Sequence, residues 1–194
     1  MKHRLLLVTS LVGLLLYSGA AAASAAPAHM HRAASQAAPY CVAQAEPAGS
    51  TVTPAATCYA TFAGSIRAAT GGSIRLPASA TPRSVTGADL REWAAVPATV
   101  YVLSIDWVNT NFTGGSLTWT QSSKCGSFQA SSMPSGWNDV VSSVATDSGC
   151  ANTLYQNTNF GGSKYSISRN SSASSLGSFN DLTSSEKWCT SKPC

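Results

Sequence analysis

The chain has 194 residues, 44% hydrophobic and only 10% charged, which is too apolar for a disordered chain and too poor in charge for an ordinary cytosolic domain. Its formal charge of +4 falls to +2 once Lys2 and Arg4 are set aside, since 10 basic side chains then stand against 8 acidic ones, and no basic footprint for nucleic acid survives. All three histidines, His3, His29 and His31, lie near the start, so the remainder has no imidazole for Ser-His, Cys-His or His-zinc chemistry.

Residues 1–25 read as a secretory signal. Lys2, His3 and Arg4 give a positive start, Leu5 to Leu16 an apolar stretch, and Ala23-Ser24-Ala25 a small-residue cleavage site. That stretch is 12 residues long, well short of the roughly 20 needed to span a bilayer. The expectation is a secreted, extracellular protein with no membrane contact after cleavage. Six cysteines follow: Cys41, Cys58, Cys125, Cys150, Cys189 and Cys194. An even count in an oxidising compartment, without a CxxC pair, favours disulfides over metal thiolates. About 15 pairings are open, and the one expected joins sequence neighbours, Cys41 to Cys58, Cys125 to Cys150 and Cys189 to Cys194.

Residues 26–99 read as an Ala/Pro/Ser-rich lead-in and a small N-terminal segment. Within it Tyr40 to Val42 form a short apolar patch. Cys58, Phe62, Ile66 and Ala69 recur at helical spacing between Thr57, a candidate cap, and Gly71-Gly72. One short helix is expected there, packed on the Tyr40 patch because it is too short to stand alone. A weaker helical signal runs from Asp89 to Ala95.

From Val100 the pattern changes to alternation at period two, and residues 100–194 read as all-β. Leu103, Ile105 and Trp107 alternate with Ser104 and Asp106, Leu117 and Trp119 with Thr118, Tyr165 and Ile167 with Ser166. This predicts strands with one buried face and serines turned to water. Trp107, Trp119 and Trp137 are expected in the core. Charges here cancel, Lys124, Lys164, Arg169, Lys187 and Lys192 against Asp106, Asp139, Asp147, Asp181 and Glu186, and predict no steering of an anionic partner.

This half repeats itself. Trp107-Val-Asn-Thr-Asn-Phe112-Thr-Gly114 matches Tyr155-Gln-Asn-Thr-Asn-Phe160-Gly-Gly162 at an offset of 48, and Trp137-Asn138-Asp139-Val140-Val141-Ser142-Ser143 matches Phe179-Asn180-Asp181-Leu182-Thr183-Ser184-Ser185 at an offset of 42. Each copy is the size of one four-stranded Greek key, and two together predict a sandwich of about eight strands.

The aromatic-x4-Phe-x-Gly hairpins and the Asn-Asp-x-x-Ser-Ser loops resemble those of the βγ-crystallin-like proteins, in particular secreted bacterial members with paired Greek keys and paired calcium loops. The resemblance covers residues 100–194 and implies an all-β βγ-crystallin-like sandwich that binds calcium ions (Ca2+) structurally and has no enzymatic activity. It implies swapped ligand sets: Asp139, Val140 and Ser184 at one ion, Asp181, Leu182 and Ser142 at the other. Asn138, Asn180, Ser143 and Ser185 would shape the loops. Secreted metalloproteinase inhibitors have a similar fold, so the resemblance also implies an alternative, a peptidase inhibitor with an extracellular protease or other secreted protein as partner. The stretch Lys124 to Gly136 is then the candidate contact loop. No Ser-Lys pair or cleft-flanking carboxylate couple is marked by any motif, which argues against an enzyme.

Overall fold

A computed structural model describes residues 39–84 and 99–194. The expected signal peptide and the helical signal at Asp89 to Ala95 lie outside the described residues.

The repeated half forms eight strands, as its two matching copies predict. The first copy supplies β4 (Tyr101–Asn109), β5 (Thr113–Gln121), β6 (Phe128–Ala130) and β7 (Ser143–Thr146). The second supplies β8 (Ala151–Asn157), β9 (Gly161–Ile167), β10 (Ser172–Ala173) and β11 (Ser185–Cys189). Each copy keeps three strands in its own sheet and lends its third to the other, giving the orders β10-β7-β4-β5 and β6-β11-β8-β9. Neither copy can close its sheet alone, so the exchange makes the two mutually dependent.

Residues 39–84 extend both sheets. Here β1 (Tyr40–Gln44) pairs in parallel with β5, with Cys41 opposite Leu117 and Ala43 opposite Trp119. On its other side β1 pairs antiparallel with β3 (Ala56–Tyr59), where Cys41 faces Cys58 and is bonded to it. The short β2 (Glu46–Pro47) crosses to the second sheet beside β6. Gly115 permits the close approach of this segment: a Cβ there would lie 2.8 Å from the Pro39 carbonyl oxygen, whose partner is the Ser116 amide at 3.0 Å.

The helix α1 spans Phe62–Ala69. It begins later than the spacing predicts, because Thr61 rather than Thr57 caps it, accepting from the Gly64 amide at 3.1 Å. Cys58 belongs instead to β3, where its disulfide holds it. The buried face of α1, Phe62, Ile66 and Ala69, packs on Val102, Ile105 and Trp107, and Phe62 meets the Tyr40 ring edge-on at 5.8 Å between centroids.

That cover overturns the expectation that the serines of β4 face water. Ser104 and Asp106 are fully buried, and they face the inter-sheet core, where Trp188 Nε1 donates to Ser104 Oγ at 3.0 Å. Ile105 and Trp107 turn to the outer face, buried under α1. Period-two alternation fixes which residues share a face; it cannot tell which face a neighbouring helix will also bury. The inter-sheet core holds Leu103, Leu117, Trp119, Trp137, Leu154 and Trp188 among others, with the Trp119 and Trp188 rings 4.9 Å apart. The two remaining disulfides join Cys125 to Cys150 and Cys189 to Cys194. No helix among the described residues is long and apolar enough to cross a membrane.

Candidate functional site

Each copy folds its first hairpin back on itself. Asn111 and Phe112, and in the second copy Asn159 and Phe160, have φ between +54° and +63°. A sharp bend of this kind needs a fastener, and the second serine of each hexapeptide provides it. Ser143 Oγ donates to the Asn109 carbonyl (2.6 Å) and accepts from the Phe112 amide (3.1 Å). Ser185 Oγ does the same for Asn157 (2.6 Å) and Phe160 (3.0 Å).

The first serine reaches across to the other copy. Ser184 Oγ donates to Asp139 Oδ1 at 3.0 Å, and Ser142 Oγ donates to Asp181 Oδ1 at 3.0 Å. Backbone bonds repeat the exchange: the Asp139 amide donates to the Thr183 carbonyl (3.0 Å) and the Asp181 amide to the Val141 carbonyl (2.9 Å). Both aspartates adopt left-handed backbone, φ +55° and +57°, a region Asp tolerates because its side chain bonds locally. Trp137 and Phe179, each two residues before the aspartate, are buried and anchor the loops. The carbonyls of Val140 and Leu182 take part in no hydrogen bond among the described residues. The structure therefore brings together Asp139 with Ser184 and Asp181 with Ser142. Ser142 and Ser184 are buried, Asp181 is half-buried and Asp139 exposed.

The two copies differ around these pairs. Asn138 Nδ2 donates to Asp139 Oδ2 at 2.7 Å, whereas Asn180 Oδ1 accepts from the Leu176 amide at 2.9 Å and closes its own loop. Thr183 occupies the core position that Val141 fills in the first copy, fully buried, with its hydroxyl unpartnered.

Sequence reasoning missed a second polar cluster. Asp106 on β4 and Glu186 on β11 are fully buried and within hydrogen-bonding reach of each other. Trp119 Nε1 donates to Asp106 Oδ2 (2.7 Å) and Asn152 Nδ2 to Glu186 Oε2 (2.8 Å); the other carboxyl oxygens, Asp106 Oδ1 and Glu186 Oε1, have no other partner. Burial pushes Asp106 up to about 7, against hydrogen bonds with Glu186, Trp119 and Ser104 that lower it. Burial also raises Glu186 well above the carboxylate range, and the Asp106 charge adds to this. Two adjacent carboxylates cannot both ionise in such a place, so the pair retains a proton. Its signal was Asp106 lying in register with Leu117, on the same face as Trp119.

A sandwich of two Greek keys that exchange their third strands, each with a folded hairpin and a polar hexapeptide facing its counterpart, has the βγ-crystallin-like fold. Among sequence families, residues 107–167 match the model of peptidase inhibitor family I36, under half the chain. A comparison with curated proteins finds no match. Among solved structures, the chain is similar to a βγ-crystallin domain studied for the evolution of the eye-lens fold (25% identity, 45% of this chain and 85% of that one, TM-score 0.38). It is also similar to a double mutant of a βγ-crystallin domain from Clostridium beijerinckii (26%, 47% and 100%, TM-score 0.36). A third is a βγ-crystallin domain from Flavobacterium johnsoniae (26%, 47% and 98%, TM-score 0.34).

Proposed function

We propose that this is a secreted, non-enzymatic protein whose two cross-copy Asp/Ser pairs each hold a calcium ion as a structural brace. The observation that carries the reading is the reciprocal 3.0 Å approach of Ser184 to Asp139 and of Ser142 to Asp181. Two oxygens bound to one calcium at about 2.4 Å and roughly 75° apart lie about 3 Å from each other, so the donors already stand at the spacing of neighbouring ligands. Asp139, the Val140 carbonyl and Ser184 would hold one ion; Asp181, the Leu182 carbonyl and Ser142 would hold the other. Water completes the six to eight oxygens calcium prefers.

Bound there, the ion supplies a positive charge that ties one copy's loop to the other's. With one carboxylate per ion the affinity falls in the weak extracellular range, Kd roughly 10⁻⁴ to 10⁻³ M. At tenfold excess over Kd each ion adds about 1.4 kcal/mol to stability. Thermal melting of the chelator-stripped chain with and without millimolar calcium tests the reading: a higher melting temperature supports it and an unchanged one counts against it.

A second reading, peptidase inhibition, is favoured by the family match over residues 107–167. The matched span contains an exposed turn at residues 122–127 that Cys125 ties to Cys150. Within the Lys124 to Gly136 stretch β6 occupies Phe128–Ala130, and Ser131, Met133 and Pro134 beyond it are buried, so the exposed run beside the disulfide is Lys124 to Ser127. A braced loop suits that role because little ordering entropy is lost on binding. Incubation with a thermolysin-like metalloprotease separates the outcomes: stoichiometric inhibition supports it, and digestion or indifference discards it.

A further inference from the structure

The cancellation of charge along residues 100–194 does not survive folding. Of its five acids, Asp106 and Glu186 are fully buried and Asp147 is 4% exposed. Asp139 and Asp181 sit in the hexapeptide loops, at the end of the sandwich where β8 finishes in its hairpin. The opposite end, where β8 begins at Ala151, lies about 20 Å away along the strand. Of the five basic side chains, Lys164, opposite Tyr155, and Lys187, its Nζ 4.2 Å from the Phe160 ring centroid, stand toward the hairpin end, and the other three stand at the opposite one.

These three converge on residues 149–151. Lys124 adjoins Cys125, whose disulfide partner is Cys150. Arg169 lies against Gly149, its Nη2 3.2 Å from where a Cβ would stand, and the next residue, Asn170, donates its amide to the Cys150 carbonyl at 3.2 Å. Lys192 lies in the loop closed by Cys189 and Cys194; Cys189 pairs in register with Ala151, and the Cys194 amide donates to Thr153 Oγ1 at 3.2 Å. All three cations are exposed. Asp147 also lies at this end, and Glu46, half-buried on β2, is the next acid inward, with its Oε2 accepting from Ser50 Oγ. Disulfides hold two of the three loops, so the charges are presented by backbone that is already ordered.

We propose that this disulfide-braced pole is a docking surface for an anionic polysaccharide. The cations supply attraction, and the residues between them supply hydroxyls for a hydrated, sugar-like partner: Ser122, Ser123, Ser127, Thr190 and Ser191 are all exposed. A lipid surface fits less well, because a stable membrane contact needs apolar side chains to enter the bilayer. The one exposed large hydrophobic among the described residues is Val52, in the segment before β3. The surface stands apart from the calcium loops and does not depend on them.

The test uses the full chain in chelator, with heparin and polygalacturonate as probes and phosphatidylglycerol vesicles as the competing surface. The chain should bind at least one of the two polymers, with affinity falling as salt rises, and bind it more tightly than the vesicles. Combined Lys124→Gln, Arg169→Gln and Lys192→Gln should weaken polymer binding by about tenfold or more with no change in melting temperature. Equal neutralisation elsewhere, by Arg67→Gln, Arg75→Gln and Lys164→Gln, should leave most of the binding intact. Absence of polymer binding, equal loss in both triple variants, or preference for vesicles would each overturn the proposal. Asp139→Asn with Asp181→Asn should bind the polymer as the parent does, which separates this surface from the calcium reading.

Discussion

Replacing Asp106 by asparagine tests whether a retained proton joins the two copies in the core. The native carboxyl sits at about 7 against an ordinary 3.8, so over about three pH units the folded chain holds a proton that the unfolded chain has released. A raised value means stability that is complete below the unfolded pKa and is lost as pH rises through the folded one. At about 1.4 kcal/mol per pH unit, the whole contribution is about 4 kcal/mol, of which roughly 2 disappears between pH 5 and 7. Urea denaturation in chelator, at steps across that range, should show the parent weakening as pH rises.

Asp106→Asn keeps the shape, cannot ionise, and can donate its amide to Glu186. Its stability should fall less steeply by about one proton's worth, and Asp106→Asn with Glu186→Gln should be flatter still. A parent whose stability is level or rises from pH 5 to 7, or an Asp106→Asn slope equal to the parent's, would refute the reasoning.

Ser184→Ala and Ser142→Ala each remove one cross-copy hydrogen bond of 3.0 Å; each should cost about 1 kcal/mol in chelator and weaken calcium binding at its own ion, read by denaturation and calorimetry. Cys41→Ser with Cys58→Ser opens a link of sequence separation 17; the chain-entropy relation gives about 3 kcal/mol, measurable as a lower denaturation midpoint, with faster hydrogen exchange in β1. Gly115→Ala drives a methyl into the Pro39 carbonyl at 2.8 Å and should destabilise by roughly 1–3 kcal/mol. Ser163, which stands at the equivalent place in the second copy, should tolerate alanine with a change under about 0.5 kcal/mol.

The eight-strand sandwich was legible because the repeat fixes it twice: two matching hairpins and two matching hexapeptides require two equivalent Greek keys. Trp119 and Trp137 lie in the inter-sheet core as expected, joined by Trp188, whereas Trp107 is buried on the other face of its sheet. The partnership of Asp139 with Ser184 and of Asp181 with Ser142 was legible only through the family resemblance, since spacing within one loop does not say which other loop it meets. The outward burial of Ile105 and Trp107 was not legible, because it depends on α1 covering them, a contact between segments about forty residues apart in sequence. The parallel addition of β1 was legible only as the apolar Tyr40 to Val42 patch, since five residues in an Ala/Pro-rich stretch carry no period long enough to read. The burial of Asp106 and Glu186 was not legible for a related reason: a composition cannot separate the carboxyls that the core hides from the lysines that the loops display.

The central claim, that the two hexapeptide loops hold calcium between the copies, is tested most directly by calorimetric titration of calcium into the chelator-stripped chain, beside Asp139→Asn with Asp181→Asn. The account predicts saturable heats for two weak sites in the parent, lost in the double variant while its fold is retained; flat heats in the parent, or equal heats in both proteins, would contradict it.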